Sequence, residues 1–258
     1  MGARKAVLLA LTALAAFVPA TEAAPLQRWT LVETRPHDAT AFTQGLVAYR
    51  GVLLESTGLF GQSTVRRVDA TTGQVLASTA LAANEYGEGL TVLAGRATQL
   101  TWTQHVLHTY DPTTLAMTGT RRYRFEGWGL TTNGRQLIAS DGSATLRWLN
   151  PATLRVTKTV TVTDEGAAIY DLNELEYRDG IIWANVWRSD RIALIDPATG
   201  KVRAWLDMTR LRQRLTAPGE VLNGIARDPI TNHMVVTGKF WSQLFVIKLA
   251  GRVPAVTH

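Results

Sequence analysis

The sequence of 258 residues predicts an all-β fold, a five-bladed β-propeller of four-stranded antiparallel blades closed by an N-terminal strand. Three observations point to it. A turn signature recurs at residues 69–73, 111–115, 150–154 and 196–200. It opens on Asp69, Asp111, Asn150 and Asp196, which lie 42, 39 and 46 positions apart. A second motif falls between the turns: Gln44-Gly45-Leu46, Glu88-Gly89-Leu90, Trp128-Gly129-Leu130, Asn173-Glu174-Leu175 and Asn223-Gly224-Ile225. Its aliphatic members are spaced by 44, 40, 45 and 50 positions. Third, the last strand-like stretch, residues 243–248, has no hairpin partner after it, while a lone stretch at 27–33 has none before it. A period of roughly 40–45 residues is that of a propeller blade.

Taken in order, residues 1–23 read as a signal peptide. Arg4 and Lys5 precede an apolar run over 6–18, and Thr21 and Ala23 fit the small-residue positions of a cleavage site. The run is too short for a comfortable membrane span. Cleavage is expected after Ala23, which leaves residues 24–258 as one catalytic propeller domain, exported to a periplasm or secreted. There is no cysteine, which excludes disulfides, thiolate metal sites and a lipid-anchored leader cysteine. The formal charge of +6 becomes +5 without Arg4, Lys5 and Glu22. The basic residues are scattered, and the densest run, Arg210, Arg212 and Arg214, reads as a solvated face. No nucleic-acid or membrane partner is therefore expected, and the chain is expected to act as a monomer.

Residues 27–33 are expected to supply the missing outer strand of the last blade and so remove an exposed edge. Each of the five units then reads as a strand, a turn containing Gly51, Gly95, Gly134 or Gly180, a second strand, a third strand, and the Asp/Asn turn before a fourth. One helix interrupts the pattern. Residues 207–215 start on Asp207, carry apolar residues at helical spacing, and are stopped by Pro218-Gly219.

Strand direction places a pocket. In an antiparallel meander, residues that open the first strand share a face with those that end the second. The first set is Gln44, Glu88, Trp128, Asn173 and Asn223; the second includes Trp102, Asp141, Trp187, Lys239 and Trp241. Glu88 stands out as the carboxylate of its ring, held between Gly87 and Gly89 with tryptophans near. Taken singly, Asn173 and Asn223 read as structural amides between blades rather than as catalytic groups. Lys239 reads equally well as an ion-pair partner of Glu88 or Glu174. His105 and His108 have ligand-like spacing, but on a strand they face opposite ways, and no metal or other cofactor is expected.

At these residues the sequence resembles the plant-type glutaminyl-peptide cyclotransferases (glutamine cyclotransferases), a family with bacterial members. The resemblance spans about residues 37–249. It is carried by Phe42-Thr43-Gln44-Gly45-Leu46, Tyr86-Gly87-Glu88-Gly89-Leu90, Leu172-Asn173-Glu174-Leu175-Glu176-Tyr177, Ile182-Trp183-Ala184-Asn185-Val186-Trp187, Leu222-Asn223-Gly224-Ile225 and Thr237-Gly238-Lys239-Phe240-Trp241. It implies a five-bladed propeller that converts N-terminal glutamine of peptides or proteins to pyroglutamate and releases ammonia. It places the family's essential acid on Glu88, polar partners on Gln44, Asn173 and Lys239, and pocket aromatics on Trp102, Trp128 and Trp187. Two positions depart from its pattern. Tyr86 stands where the family has phenylalanine, and Val246, expected to be an outer packing position, stands where it often has an acid.

The expected catalytic set is Glu88, Lys239 and Asn173. The expected substrate-binding set is Gln44, Trp102, Trp128, Trp187, Glu174, Asn223 and Trp241. Two other functions fit parts of the pattern. A non-catalytic peptide-binding propeller predicts binding without ammonia release. A metal-dependent propeller hydrolase would use Glu88, Asn173 and Asn223 as oxygen ligands, with a thin single carboxylate.

Overall fold

The computed structural model describes residues 23–254; most of the leader read from the sequence lies outside the described residues. The chain begins with β1 (Trp29–Pro36). Blade 1 follows with β2 (Thr43–Tyr49), β3 (Val52–Thr57), β4 (Thr64–Asp69) and β5 (Val75–Ala80). Blade 2 is β6 (Gly87–Leu93), β7 (Arg96–Thr101), β8 (Val106–Tyr110) and β9 (Met117–Arg122). Blade 3 is β10 (Leu130–Thr132), β11 (Leu137–Ala139), β12 (Thr145–Leu149) and β13 (Val156–Thr161). A small hairpin, β14 (Thr163–Asp164) and β15 (Ala167–Ala168), precedes blade 4, which is β16 (Leu172–Arg178), β17 (Ile181–Val186), β18 (Arg191–Ile195) and β19 (Val202–Asp207). After the one-turn helix α1 (Thr209–Arg212), blade 5 is β20 (Leu222–Arg227), β21 (Met234–Gly238) and β22 (Gln243–Leu249).

Each blade is an antiparallel meander, and β1 is the outer strand of blade 5, in the order β1-β22-β21-β20. It pairs from Trp29 with Leu249 to Pro36 with Gln243. The closure inferred from the unpaired first and last stretches is thus formed. Arg35 fastens it. Its buried guanidinium donates to both carboxylate oxygens of Asp228 in blade 5, at 2.8 and 3.0 Å, and to the Ala70 carbonyl in blade 1. Burial works against a charged Asp228, but Arg35 and Thr231 hold its carboxyl below the usual range.

The turn signature does what its residues suggest. The side-chain oxygens of Asp69, Asp111, Asn150 and Asp196 each accept two backbone N–H bonds, from the second and third residues on. The fifth position has positive φ, at Gly73, Leu115, Leu154 and Gly200. Leucine tolerates this at 115 because its side chain is buried in the core between blades 1 and 2. A further such turn runs from Asp228 to Asn232, between β20 and β21.

The core divides among the blade contacts. Leu46, Leu53, Val235 and Leu244 pack between blades 5 and 1; Val47, Leu54, Leu90 and Tyr110 between blades 1 and 2. Further clusters fill the spaces between blades 2 and 3, 3 and 4, and 4 and 5. Val246 belongs to the first of these and is fully buried, so it is a core position rather than an outer one.

The helix is shorter than the sequence pattern predicts. Asp207 accepts the Thr209 N–H at 2.9 Å, but only residues 209–212 are helical, and Leu211 alone of them is buried. Arg210 and Arg214 would repel one another a turn apart. Arg212 instead donates to the Glu220 carbonyl, holding the following loop.

Candidate active site

The repeated motif opens the innermost strands, and it carries a second regularity that the sequence did not announce. Register breaks occur between Thr43 and Gly45, Gly87 and Leu90, Leu172 and Leu175, and Leu222 and Ile225. A bulge re-aims a side chain that the pleat would otherwise fix. Four blades therefore turn Gln44, Glu88, Asn173 and Asn223 at the channel mouth by the same device.

The glycines beside them are needed for close approach. A Cβ on Gly89 would lie 2.4 Å from the Leu130 nitrogen of the next blade, and one on Gly87 would lie 2.7 Å from the Thr57 carbonyl oxygen. Neither has a positive φ, so the constraint is space, not conformation. The same spacing lets neighbouring inner strands converge on Glu88, which is buried at 5% exposure rather than projecting freely.

Glu88 lies in a cavity of about 250 Å³. Blade 1 contributes Phe42 and Gln44, blade 2 Tyr86 and Trp102, blade 3 Trp128, and blade 4 Asn173 and Trp187. Lys239 and Glu220 complete the wall. Gln44 donates from its amide nitrogen to Glu88 Oε1 at 3.2 Å. That orientation is fixed from behind, because Asn223 Nδ2 donates to Gln44 Oε1 at 3.2 Å and to the Thr43 carbonyl at 2.9 Å. Burial pushes the Glu88 carboxyl well above its ordinary value; the Lys239 cation opposes this and the Glu126 carboxylate adds to it. Burial lowers Lys239, against the pull of Glu88 and Glu220, and its ammonium sits 4.4 Å from the centre of the Phe42 ring. Asn173 Oδ1 is buried with no hydrogen-bond partner. A substrate N–H would satisfy it.

The tryptophan walls are braced. Glu126 Oε1 accepts the indole N–H of Trp128 at 2.8 Å and also that of Trp102. Trp187 meets Trp128 edge-on, ring centres 5.7 Å apart, and the Arg188 guanidinium lies over the Trp187 ring at 4.0 Å. Tyr86 packs edge-on against Trp102, and burial followed by the Glu88 charge pushes its hydroxyl pKa up.

Three residues expected to bind substrate do not line the cavity. Trp241 is fully buried between blades 4 and 5, with its indole N–H on the Glu220 carbonyl at 2.9 Å and its ring against Phe245. The chain bends at Phe240, which has φ +59, and folds Trp241 back onto the sheet. Gly219 and Gly238 leave room for it, since a Cβ on either would lie within 2.5 Å of the ring. Glu174 stands where the other four motifs have glycine. Its oxygens accept the Ile225 N–H at 2.8 Å and, from across the channel, the Leu46 N–H at 3.3 Å. It ties blade 4 to blades 5 and 1. Asn223 stands behind Gln44 and acts through it. Asp141, in the same set by strand direction, pairs with Arg147 instead. The two histidines go separate ways: His105 bonds the Phe125 carbonyl and His108 bonds Glu85 and Thr120. No group of three or more His, Asp and Glu side chains among the described residues is arranged to hold a metal ion.

Three of the residues outside the expected sets share one position. Phe42, Tyr86 and Glu126 each lie two places ahead of their motif's first residue, Gln44, Glu88 and Trp128. That offset, repeated ahead of three motifs, is the signal the sequence offers for them. Glu220 comes from the insertion after α1, outside the repeat. A larger groove of about 570 Å³ lies near the other end of the strands, around Arg178, Arg203 and Lys248. The Arg178 and Arg203 guanidiniums donate to the carbonyls of Asn232, His233 and Pro254, and no buried carboxylate lines it.

A channel mouth that buries a weakly bonded carboxylate among tryptophans, a lysine and the amides of Gln44 and Asn173 is a propeller pocket sized for a group of about one residue. The chain belongs to the glutamine cyclotransferase family, whose model matches residues 5–249. It is 43% identical over 220 residues to the glutaminyl-peptide cyclotransferase of Arabidopsis thaliana, across 83% of this chain and 69% of that protein. It superposes on the crystal structure of Myxococcus xanthus glutaminyl cyclase with a TM-score of 0.81 and 36% identity, covering 87% of this chain and 98% of that one.

Proposed function

We propose that this chain closes the N-terminal glutamine of peptides to pyroglutamate and releases ammonia, with Glu88 carrying the proton. The α-amine nitrogen attacks the side-chain amide carbon, a five-membered ring forms, and the bond from that carbon to the amide nitrogen breaks. The proton lost by the amine is the one the departing ammonia gains, so a single shuttling group suffices.

One observation carries the reading: the carboxylate at the floor of the tryptophan cavity is buried and has a raised pKa. An ordinary glutamate lies about 3.5 pKa units below an α-ammonium, so taking its proton is roughly 5 kcal/mol uphill. Raising the carboxyl narrows that gap and matches donor to acceptor at both steps. Holding the substrate folded over Glu88 can contribute about 7–11 kcal/mol in favourable cases, a task that suits walls braced by Glu126. Lys239 is the donor placed for the developing oxyanion. The orphan Asn173 oxygen accepts from a substrate nitrogen, and Gln44 holds Glu88 in place.

The cavity is completed within one chain, which supports action as a monomer. The basic, apolar and small-residue pattern of residues 1–23 supports export to the periplasm. The test is ammonia release from glutaminyl peptides by the wild type and Glu88→Gln. Near-normal turnover by a folded Glu88→Gln protein would sink the mechanism; peptide binding without any ammonia release by the wild type would sink the reaction.

A further inference from the structure

We propose that the channel mouth carries a second subsite, in which Phe60 receives an apolar or aromatic side chain at the second position of the substrate peptide; this rests on the cyclisation of N-terminal glutamine described above.

A cavity of about 250 Å³ is smaller than the roughly 300–1,000 Å³ that holds a drug-sized ligand. It accommodates one terminal residue. The rest of a peptide must leave over the rim, so the rim meets the second residue whatever the peptide is.

Blade 1 builds its rim differently from blades 2, 4 and 5. In blades 2, 4 and 5, the residue just after the second strand is a wall residue: Trp102, Trp187 and Lys239. In blade 1 it is Gly58. A Cβ there would lie 2.5 Å from the Tyr86 ring and 3.1 Å from Gln44 Cγ. The wall at this point is supplied by Tyr86 instead. The connection from β3 to β4 is residues 58–63, longer than the four-residue connections 102–105, 187–190 and 239–242 of those blades. What the extra length displays is Phe60. Its ring stands edge-on to Tyr86, centres 5.2 Å apart, and remains 51% exposed. It continues an aromatic path that runs from Trp102 through Tyr86 to the surface.

The display is rigid. Leu59 has φ +81, a conformation rare for a residue other than glycine. Its carbonyl accepts from the Gln62 N–H and the Ser63 hydroxyl, and Ser63 Oγ in turn accepts the Gly87 N–H beside Glu88. Gly58 N–H is held by the Phe42 carbonyl at 2.8 Å. Strain of this kind persists where the surroundings fix it, and it clusters at ligand-contacting segments. A lone exposed phenylalanine is ordinary on a protein surface. One held by a strained, pinned loop against a ring of the catalytic cavity is placed for contact, and a planar ring with an open face suits an apolar or aromatic partner.

The experiment compares glutaminyl-phenylalanine and glutaminyl-glycine peptides, otherwise identical, with the wild type, Phe60→Ala and Phe60→Tyr. The ratio of their kcat/KM values is expected to be about tenfold in favour of phenylalanine for the wild type. It should fall to near one in Phe60→Ala and return in Phe60→Tyr. A wild-type ratio near one, or the same ratio in Phe60→Ala, overturns the proposal. Binding of the two peptides to Glu88→Gln, followed by tryptophan fluorescence, separates the subsite from the reaction. A preference for the phenylalanine peptide that disappears in the Phe60→Ala, Glu88→Gln double variant supports the subsite even if no ammonia is released. Equal binding of both peptides overturns it independently of turnover.

Discussion

Glu88 and Glu174 lie in the same repeated motif, one place out of step with each other. Both are buried near the channel, and burial pushes both carboxyls well above their ordinary values. Their partners differ. Glu174 accepts two backbone N–H groups from other blades and does not face the cavity. Glu88 receives one side-chain amide and otherwise faces the space where a substrate would lie. A perturbed pKa is therefore common to both, and what separates the carboxyl proposed to carry the proton from the structural one is the bonding capacity left open toward the cavity.

The contrast can be broken experimentally, starting with the largest effect. Glu88→Gln is expected to lower kcat by about 10²–10⁴-fold, the usual value of general acid–base help, with a Tm equal to or above that of the wild type. A smaller loss would mean that positioning alone drives the reaction. Next, Glu126→Ala frees both indole N–H groups and should lower kcat/KM by about 10–100-fold, the scale of misplacing a substrate. Glu126→Gln, which can still accept both, should recover most of it; equal losses in the two would show that charge rather than bracing matters.

Glu174→Gln should act on stability instead. It replaces one of the two accepting oxygens with an NH₂ group, at a cost of about 1–3 kcal/mol, or several degrees in Tm for a chain of this size. Turnover should stay within a few-fold. The pH dependence has a definite sign. The folded pKa of Glu174 is raised, so its contribution is fully present below the unfolded pKa and is lost as pH rises through the folded one. Melting curves across that range should fall more steeply for the wild type than for Glu174→Gln. The smallest effect is on the acid limb of kcat/KM. Lys239 lowers the Glu88 pKa and Glu126 raises it. Residual activity of Lys239→Met should show its limb displaced to higher pH, and Glu126→Gln to lower pH. Displacements in the same direction would contradict this account of the charges around Glu88.

The propeller was legible in the sequence because a turn closed by its own Asp or Asn side chain is a local event, repeated at a fixed period. The floor and walls of the site were legible for a related reason: Glu88, Gln44, Trp102, Trp128, Trp187, Asn173 and Lys239 sit at strand ends whose direction the repeat dictates. Trp241 escapes the strand-direction rule because it lies three residues beyond its strand's end, where a left-handed turn at Phe240 reverses the chain. Glu174 was misplaced because nothing in its neighbours reveals that four glycines leave it the channel to fill. Glu126 was overlooked because its role is exerted through two indoles on different blades, a contact that exists only after the ring closes. The helix stops short of its apolar spacing, at Arg212, because Arg210 and Arg214 would repel one another a turn apart.

The pairing of β1 with β22 has a kinetic consequence. Trp29 and Leu249 meet although 220 positions separate them. Closing so long a loop gives up chain entropy before the contact returns any, and pairings of high sequence separation slow folding. Blades 1 to 4 are hairpin-connected and can form locally; blade 5 must wait for the two ends of the chain to find each other. Until they do, β22 presents an unpaired, apolar edge, so a refolding mixture should aggregate most readily in the interval between blade formation and docking of β1.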